Sequence, residues 1–81
     1  MLSARQRWLC RRGMRELDLL IGRYLAQGYA TAPPAEQRAF QRLLELQDDE
    51  LWHYLGGGPL PEEAELAALI RKLQNLPPAP A

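Results

Sequence analysis

Apolar residues recur along this chain at the three- and four-residue spacing of helix faces, and nowhere alternate at the two-residue period of a strand over a useful length. Leu17, Leu20, Ile21, Tyr24 and Leu25 form one such face, in a helix predicted from about Met14 to Gln27 with Gly28 closing it. Ala39, Phe40, Leu43 and Leu44, with Gln47 at the margin, form a second; Pro34 suits its first turn. Leu66, Leu69, Ile70 and Leu73 form a third, in a last helix from about Pro61 to Leu76 whose Glu62, Glu63 and Glu65 favour the positive dipole end. Two shorter helices complete the set. Ser3 and Gln6 spell a capping box for a helix from about Ala4 to Arg12, with Trp8 as its apolar anchor. Arg11 and Arg12 suit its negative end, and Gly13 stands where a left-handed C-terminal residue is expected. Asp48 and Asp49 offer N-cap oxygens to the other, which holds Leu51, Trp52, Tyr54 and Leu55 before Gly56-Gly57-Gly58-Pro59 ends it. The expected fold is all-α: a compact single-domain bundle of about five short helices over residues 1–76. Residues 77–81, Pro-Pro-Ala-Pro-Ala, are read as a disordered extension.

Length narrows what such a bundle can do. A chain of 81 residues buries only about 60 to 65% of the surface its unfolded form exposes, so a deep pocket is not expected and binding should occur on an outer surface. No apolar run approaches the ~20 residues of a membrane span, and the N-terminus lacks the pattern of a secretory signal. The single Cys10 cannot form an internal disulfide, and a lone thiol fits a reducing compartment, so a cytoplasmic location is expected. Net charge is zero but unevenly placed. Residues 1–40 carry seven Arg against three acids, a balance of +4, and residues 41–81 carry the opposite −4. Such asymmetry marks either nucleic-acid contact or a docking face for a protein; the zero total weakens the first, whose affinity comes from neutralised phosphates.

Candidate chemistry is sparse. One Cys and one His cannot supply a zinc site, and Cys10 with His53 has no motif around it to suggest a nucleophile and its base. The Gly56–Gly58 run lacks the Lys and Ser/Thr of a phosphate-binding loop, and Pro59 removes a backbone donor, so it reads as a flexible connector. Trp8, Phe40 and Trp52 are read as core rather than as a stacking platform. Tyr54 is the aromatic expected to face outward, since two residues apart on a helix do not share a face with Trp52.

The distinctive stretch is Arg11-Arg12-Gly13-Met14-Arg15-Glu16-Leu17-Asp18. A plain helix–helix corner accounts for Gly13 and its charged neighbours. The same corner gathers three arginines and two carboxylates in eight residues, and such a cluster at a tight turn presents bidentate hydrogen-bonding groups to a partner. Both readings stand on the residues alone.

Arg12-Gly13-Met14-Arg15-Glu16 resembles the Arg-Gly-x-x-Glu signature of the SdhE family, the succinate dehydrogenase FAD assembly factors of bacteria and mitochondria. Trp8, Cys10 and Arg11 extend the match before it and Leu17-Asp18 after it. A second block is Phe40-Gln41-Arg42-Leu43-Leu44-Glu45, followed by Asp48, Leu51 and Leu55, and Ala64-Glu65-Leu66 looks like the family's C-terminal helix. The likeness covers roughly residues 4 to 75. His53 and Tyr54 depart from it, Tyr54 standing where bacterial relatives often have Trp, as do the glycine run and the Pro/Ala tail.

The resemblance implies a non-enzymatic factor that binds the flavoprotein subunit of succinate dehydrogenase, and in some bacteria that of fumarate reductase, and promotes covalent attachment of FAD to a histidine of that client. FAD would be the client's cofactor, with none bound tightly by this chain. The partner-binding residues it points to are Arg12, Gly13 and Glu16, supported by Arg11, Arg15 and Asp18. The free protein is expected to be monomeric, with no nucleic-acid partner and no membrane insertion. The rival classes are a nucleic-acid-binding helical domain using the Arg-rich N-terminus, a toxin-neutralising adaptor, and a carrier of free flavin. Glu16 and Asp18 stand against the first, and the thin core against the last.

Overall fold

The computed structural model describes residues 2–76 as five α-helices: α1 (Ala4–Leu9), α2 (Arg15–Tyr24), α3 (Pro34–Leu43), α4 (Asp48–Leu55) and α5 (Ala64–Gln74). A π-helical turn, Leu25–Tyr29, prolongs α2. The extension expected at residues 77–81 lies outside the described residues.

The three apolar stripes converge as their spacing requires. Leu17, Ile21 and Tyr24 of α2, Ala39, Phe40 and Leu43 of α3, and Leu66, Leu69, Ile70 and Leu73 of α5 are buried together with Leu44 and Leu51. Leu20 and Leu25 are half-buried at the margin of this core. Gln47 is exposed and serves as the N-cap position of α4. Phe40 is the hub, its ring centroid 4.8 Å from Tyr24 and 5.3 Å from Tyr29, within the range of favourable aromatic pairs. Tyr24 then carries the core outward. Its hydroxyl donates to Glu36 Oε2 at 2.6 Å, and Lys72 Nζ donates to the same oxygen at 2.9 Å, so one carboxylate joins α2, α3 and α5.

Several local expectations are corrected, each for a tertiary reason. The Ser3–Gln6 capping box is present, yet α1 stops at Leu9 rather than Arg12, because the chain beyond Cys10 turns away to meet α4. Gly13 is not left-handed; the described glycine at positive φ is Gly57, at 103° in the turn after α4. Gly28 does not close α2 but sits within the π-helical turn, where a Cβ would lie 3.1 Å from the Tyr24 ring. Asp48 and Asp49 do not cap α4. Its N-cap is Gln47, without a side-chain bond, and Asp48 is its first residue. The last helix begins at Ala64 and ends at Gln74, three residues later and two earlier than expected.

The aromatic expectations divide. Phe40 is core, but Trp8 is 66% and Trp52 46% exposed, while Tyr54 packs partly against the core. With Leu51 fully buried, the residues three and four positions on, Tyr54 and Leu55, follow it inward, and Trp52 is carried outside. Nor does the glycine run hang free. Gly56 and Gly58 donate to the carbonyls of Trp52 and His53, and the His53 ring lies where a Cβ on Gly58 would be, 2.5 Å from Nε2.

Burial works to raise the Glu36 pKa, but the bonds from Tyr24 and Lys72 outweigh it and hold the carboxyl below its usual range. A depressed folded pKa means that the unfolded chain binds more protons, so this stabilisation is full above the ordinary Glu range and is lost as pH falls through the folded value. Glu36→Gln should therefore be less stable than the parent at pH 6, with the gap closing by about pH 3 in urea titrations. A pH-independent gap would assign the contribution to packing alone.

Candidate functional site

The segment 10–18 forms the corner between α1 and α2, and its geometry is set by one buried guanidinium. The Arg12 side chain is only 6% exposed. Its Nε donates to Asp48 Oδ1 at 2.8 Å, and its Nη1 donates to the carbonyls of Leu9 at 2.8 Å and Leu44 at 3.1 Å. Its Nη2 donates to the carbonyl of Leu46. Leu9 is the last residue of α1 and Leu44 the C-cap of α3, so these are carbonyls that a helix end leaves without partners. Arginine suits them twice over, by its fork of donors and by its positive charge at negative dipole ends. The arrangement binds α1, the α3–α4 connection and the start of α4 into one unit.

The backbone beside Arg12 is held in the same way. Gly13 N donates to Asp48 Oδ2 at 2.9 Å, and Arg12 N donates to Asp18 Oδ1 at 3.3 Å. Asp48 thus uses both oxygens on adjacent residues of the corner, which is why it is drawn away from capping its own helix.

The six residues that the sequence singles out therefore fall into two groups. Arg12, Gly13 and Asp18 are joined to the clamp. Arg11, Arg15 and Glu16 are exposed, and among the described residues no hydrogen bond or ion pair engages their side chains. The Arg11 guanidinium lies 5.8 Å from the ring centroid of the exposed Trp8, a cation–π arrangement that leaves both accessible. Asp48 was not among the six. The signal for it was present, since three arginines within five residues need a counter-charge and Asp48-Asp49-Glu50 supplies more acid than a cap requires.

Among the described residues no other chemistry competes with these charged groups. Burial pushes the Cys10 thiol up, with Arg12 opposing and Asp18 adding to the shift, and a thiol held protonated is a poor nucleophile. Among the described residues no group of three or more His, Cys, Asp or Glu is placed to hold a metal ion. A groove of about 220 Å³ lies between α3 and α5, lined by Pro33, Ala35, Glu36, Glu65, Ala68 and Leu69. It is smaller than the ~300–1,000 Å³ of ordinary ligand sites and lies on other helices than the corner.

Comparison with known proteins gives the corner a context. The family model described as "Flavinator of succinate dehydrogenase" matches residues 4–77. The FAD assembly factor SdhE of Methylococcus capsulatus is 49% identical over 69 residues, covering 85% of this chain and 83% of that protein. The factor of the same name from Xylella fastidiosa is 48% identical over 71 residues, 88% and 73% of the two chains. That from Coxiella burnetii is 39% identical over 74 residues, 91% and 90% of the two.

Removing the Arg12 side chain would strand three carbonyls and the Asp48 carboxylate, the latter still about a third exposed (32%). Arg12→Ala should lower the unfolding free energy in urea by roughly 2–4 kcal/mol. Arg11→Ala and Arg15→Ala should each stay within about 0.5 kcal/mol of the parent. Equal losses in all three would deny Arg12 its clamping role.

Proposed function

The chain belongs to the family of flavinators of succinate dehydrogenase, the FAD assembly factors, and from that premise we propose that it docks through the Gly13 corner onto the flavoprotein subunit of that enzyme and promotes its covalent flavinylation. The family is one of assembly factors, not enzymes. The observation that carries the docking role is the division at the corner. Arg12, Asp48 and Asp18 fix the backbone, and Arg11, Arg15 and Glu16 stand outside it with their donors and acceptors open. Side chains presented from an ordered backbone need less ordering on binding, which is how a small surface gains affinity.

In this reading FAD and the histidine that receives it belong to the client. The chain acts by binding the competent conformation of the client more tightly than others, which shifts the client's population toward it. The flavoprotein of fumarate reductase is a client of the same kind in bacteria that use one. The free chain is monomeric and works in the cytoplasm, without inserting in a membrane; no helix among the described residues is long and apolar enough to cross one. A nucleic-acid role is disfavoured by the exposed Glu16 and Asp18 within the arginine cluster.

The test is covalent flavin on the client. The cognate flavoprotein subunit is expressed with and without the chain, denatured and separated, and flavin fluorescence is read on its band. The chain should raise the signal, and Glu16→Ala, which touches no described partner within the fold, should reduce that gain by roughly tenfold while remaining folded. Gly13→Arg should abolish it. Equal flavinylation in every lane, with all proteins soluble, would overturn the proposal.

A further inference from the structure

We propose that Asp48, outside the Arg12–Glu16 segment, is the positioning residue of the docking corner, and that its carboxylate is what makes glycine necessary at position 13. The inference rests on the docking reading above and names the group that gives that site its shape.

Gly13 does not adopt a left-handed backbone, so conformational freedom is not what the position needs. The obstacle to a side chain is Asp48: a Cβ built on Gly13 lies 3.0 Å from Oδ2, closer than ordinary contact. The far end of a flexible side chain would normally swing aside. This one is held, because Oδ1 accepts from Arg12 Nε at 2.8 Å and Oδ2 from the Gly13 amide at 2.9 Å. Turning Oδ2 away from a new Cβ would break the bond from the same residue's N–H. The contact and the hydrogen bond are therefore two faces of one constraint.

The chemistry also selects aspartate. Both donors are N–H groups pointing at different oxygens, so an asparagine would set its own N–H₂ against one of them. A glutamate would move the carboxylate outward by a methylene from a fixed first position of α4. Asp49 is exposed and cannot replace it. Through this carboxylate the path of the chain from residue 12 to the start of α2 is registered on α4, and with it the directions in which Arg11, Arg15 and Glu16 leave the surface. Loosening it would weaken docking without removing any group that touches the client.

Two measurements test this. The first uses the free chain and a double-mutant cycle in thermal unfolding. Gly13→Ala should lower Tm by about 5 °C in the parent, and should cost nothing in an Asp48→Ser background, where the crowding oxygen is gone. The same loss in both backgrounds would overturn the inference. The second measures binding of the flavoprotein subunit well below every Tm. Asp48→Asn should bind about tenfold more weakly than the parent, whereas a core variant matched to it in Tm, such as Ile70→Val, should bind as the parent does. Asp48→Asn binding as tightly as the core control would overturn it. If the parent itself fails to bind the subunit, the docking reading falls, and the cycle in the free chain still decides whether Asp48 governs position 13.

Discussion

The fold hangs on the desolvated guanidinium of Arg12. Burying a charge is costly unless its hydrogen-bonding groups are matched, and here four donated bonds to three carbonyls and one carboxylate do so. Only the Leu9 carbonyl is a sequence neighbour, three residues away. Leu44, Leu46 and Asp48 lie 32 to 36 residues away, so the clamp requires the end of α3 and the start of α4 to be brought to the corner. Helix α1 depends on it most, since no residue within α1 is fully buried. Half-buried Leu2 and Leu9, an exposed Arg5–Glu45 pair and the clamp are what fix that helix to the body.

The same constraint explains why structural and presenting roles alternate along the corner. Consecutive side chains of the corner leave the backbone in different directions. With Arg12 pointing inward and Leu17 in the core, Arg11, Arg15 and Glu16 are left outside. The charge imbalance between the halves of the chain is partly consumed by this architecture. Arg12–Asp48 and Arg5–Glu45 both join the basic half to the acidic one. Arg11, Arg15 and Glu16 have no such pairing among the described residues, and their mixed sign suits a particular protein surface better than a polyanion.

How far the sequence could be read follows from the range of the forces involved. The three long stripes were legible because burial at helical spacing is a local signature of a nonlocal core, and Leu17, Phe40 and Ile70 lie where that signature puts them. The capping box at Ser3 was legible because all of its partners fall within four residues. The arginine-glycine corner was legible as a place. The reason for its glycine was not, since a glycine after a helix looks the same whether it answers to a left-handed turn or to a carboxylate 35 residues away. Asp48 before a helix likewise reads as a cap until its true partners are seen. Trp8 and Trp52 read as core because aromatics at helical spacing in a small bundle are more often buried, and both are exposed because the phase of each helix is set by its tertiary anchors.

A small core gives this overlap of roles its consequence. A domain of this size holds a margin of only a few kcal/mol over its unfolded state. An element that supplies several favourable bonds cannot then be lost without approaching that margin, so the first effect of losing Arg12 falls on the fold. Glu16 is the opposite case, because its side chain engages no described partner and the fold does not require it. Gly13 and Asp48 lie between, with one hydrogen bond that stabilises the corner and defines its shape together. Substitutions along this short segment therefore differ in kind rather than in degree, and loss of activity identifies a contact residue only where the fold is independent of it.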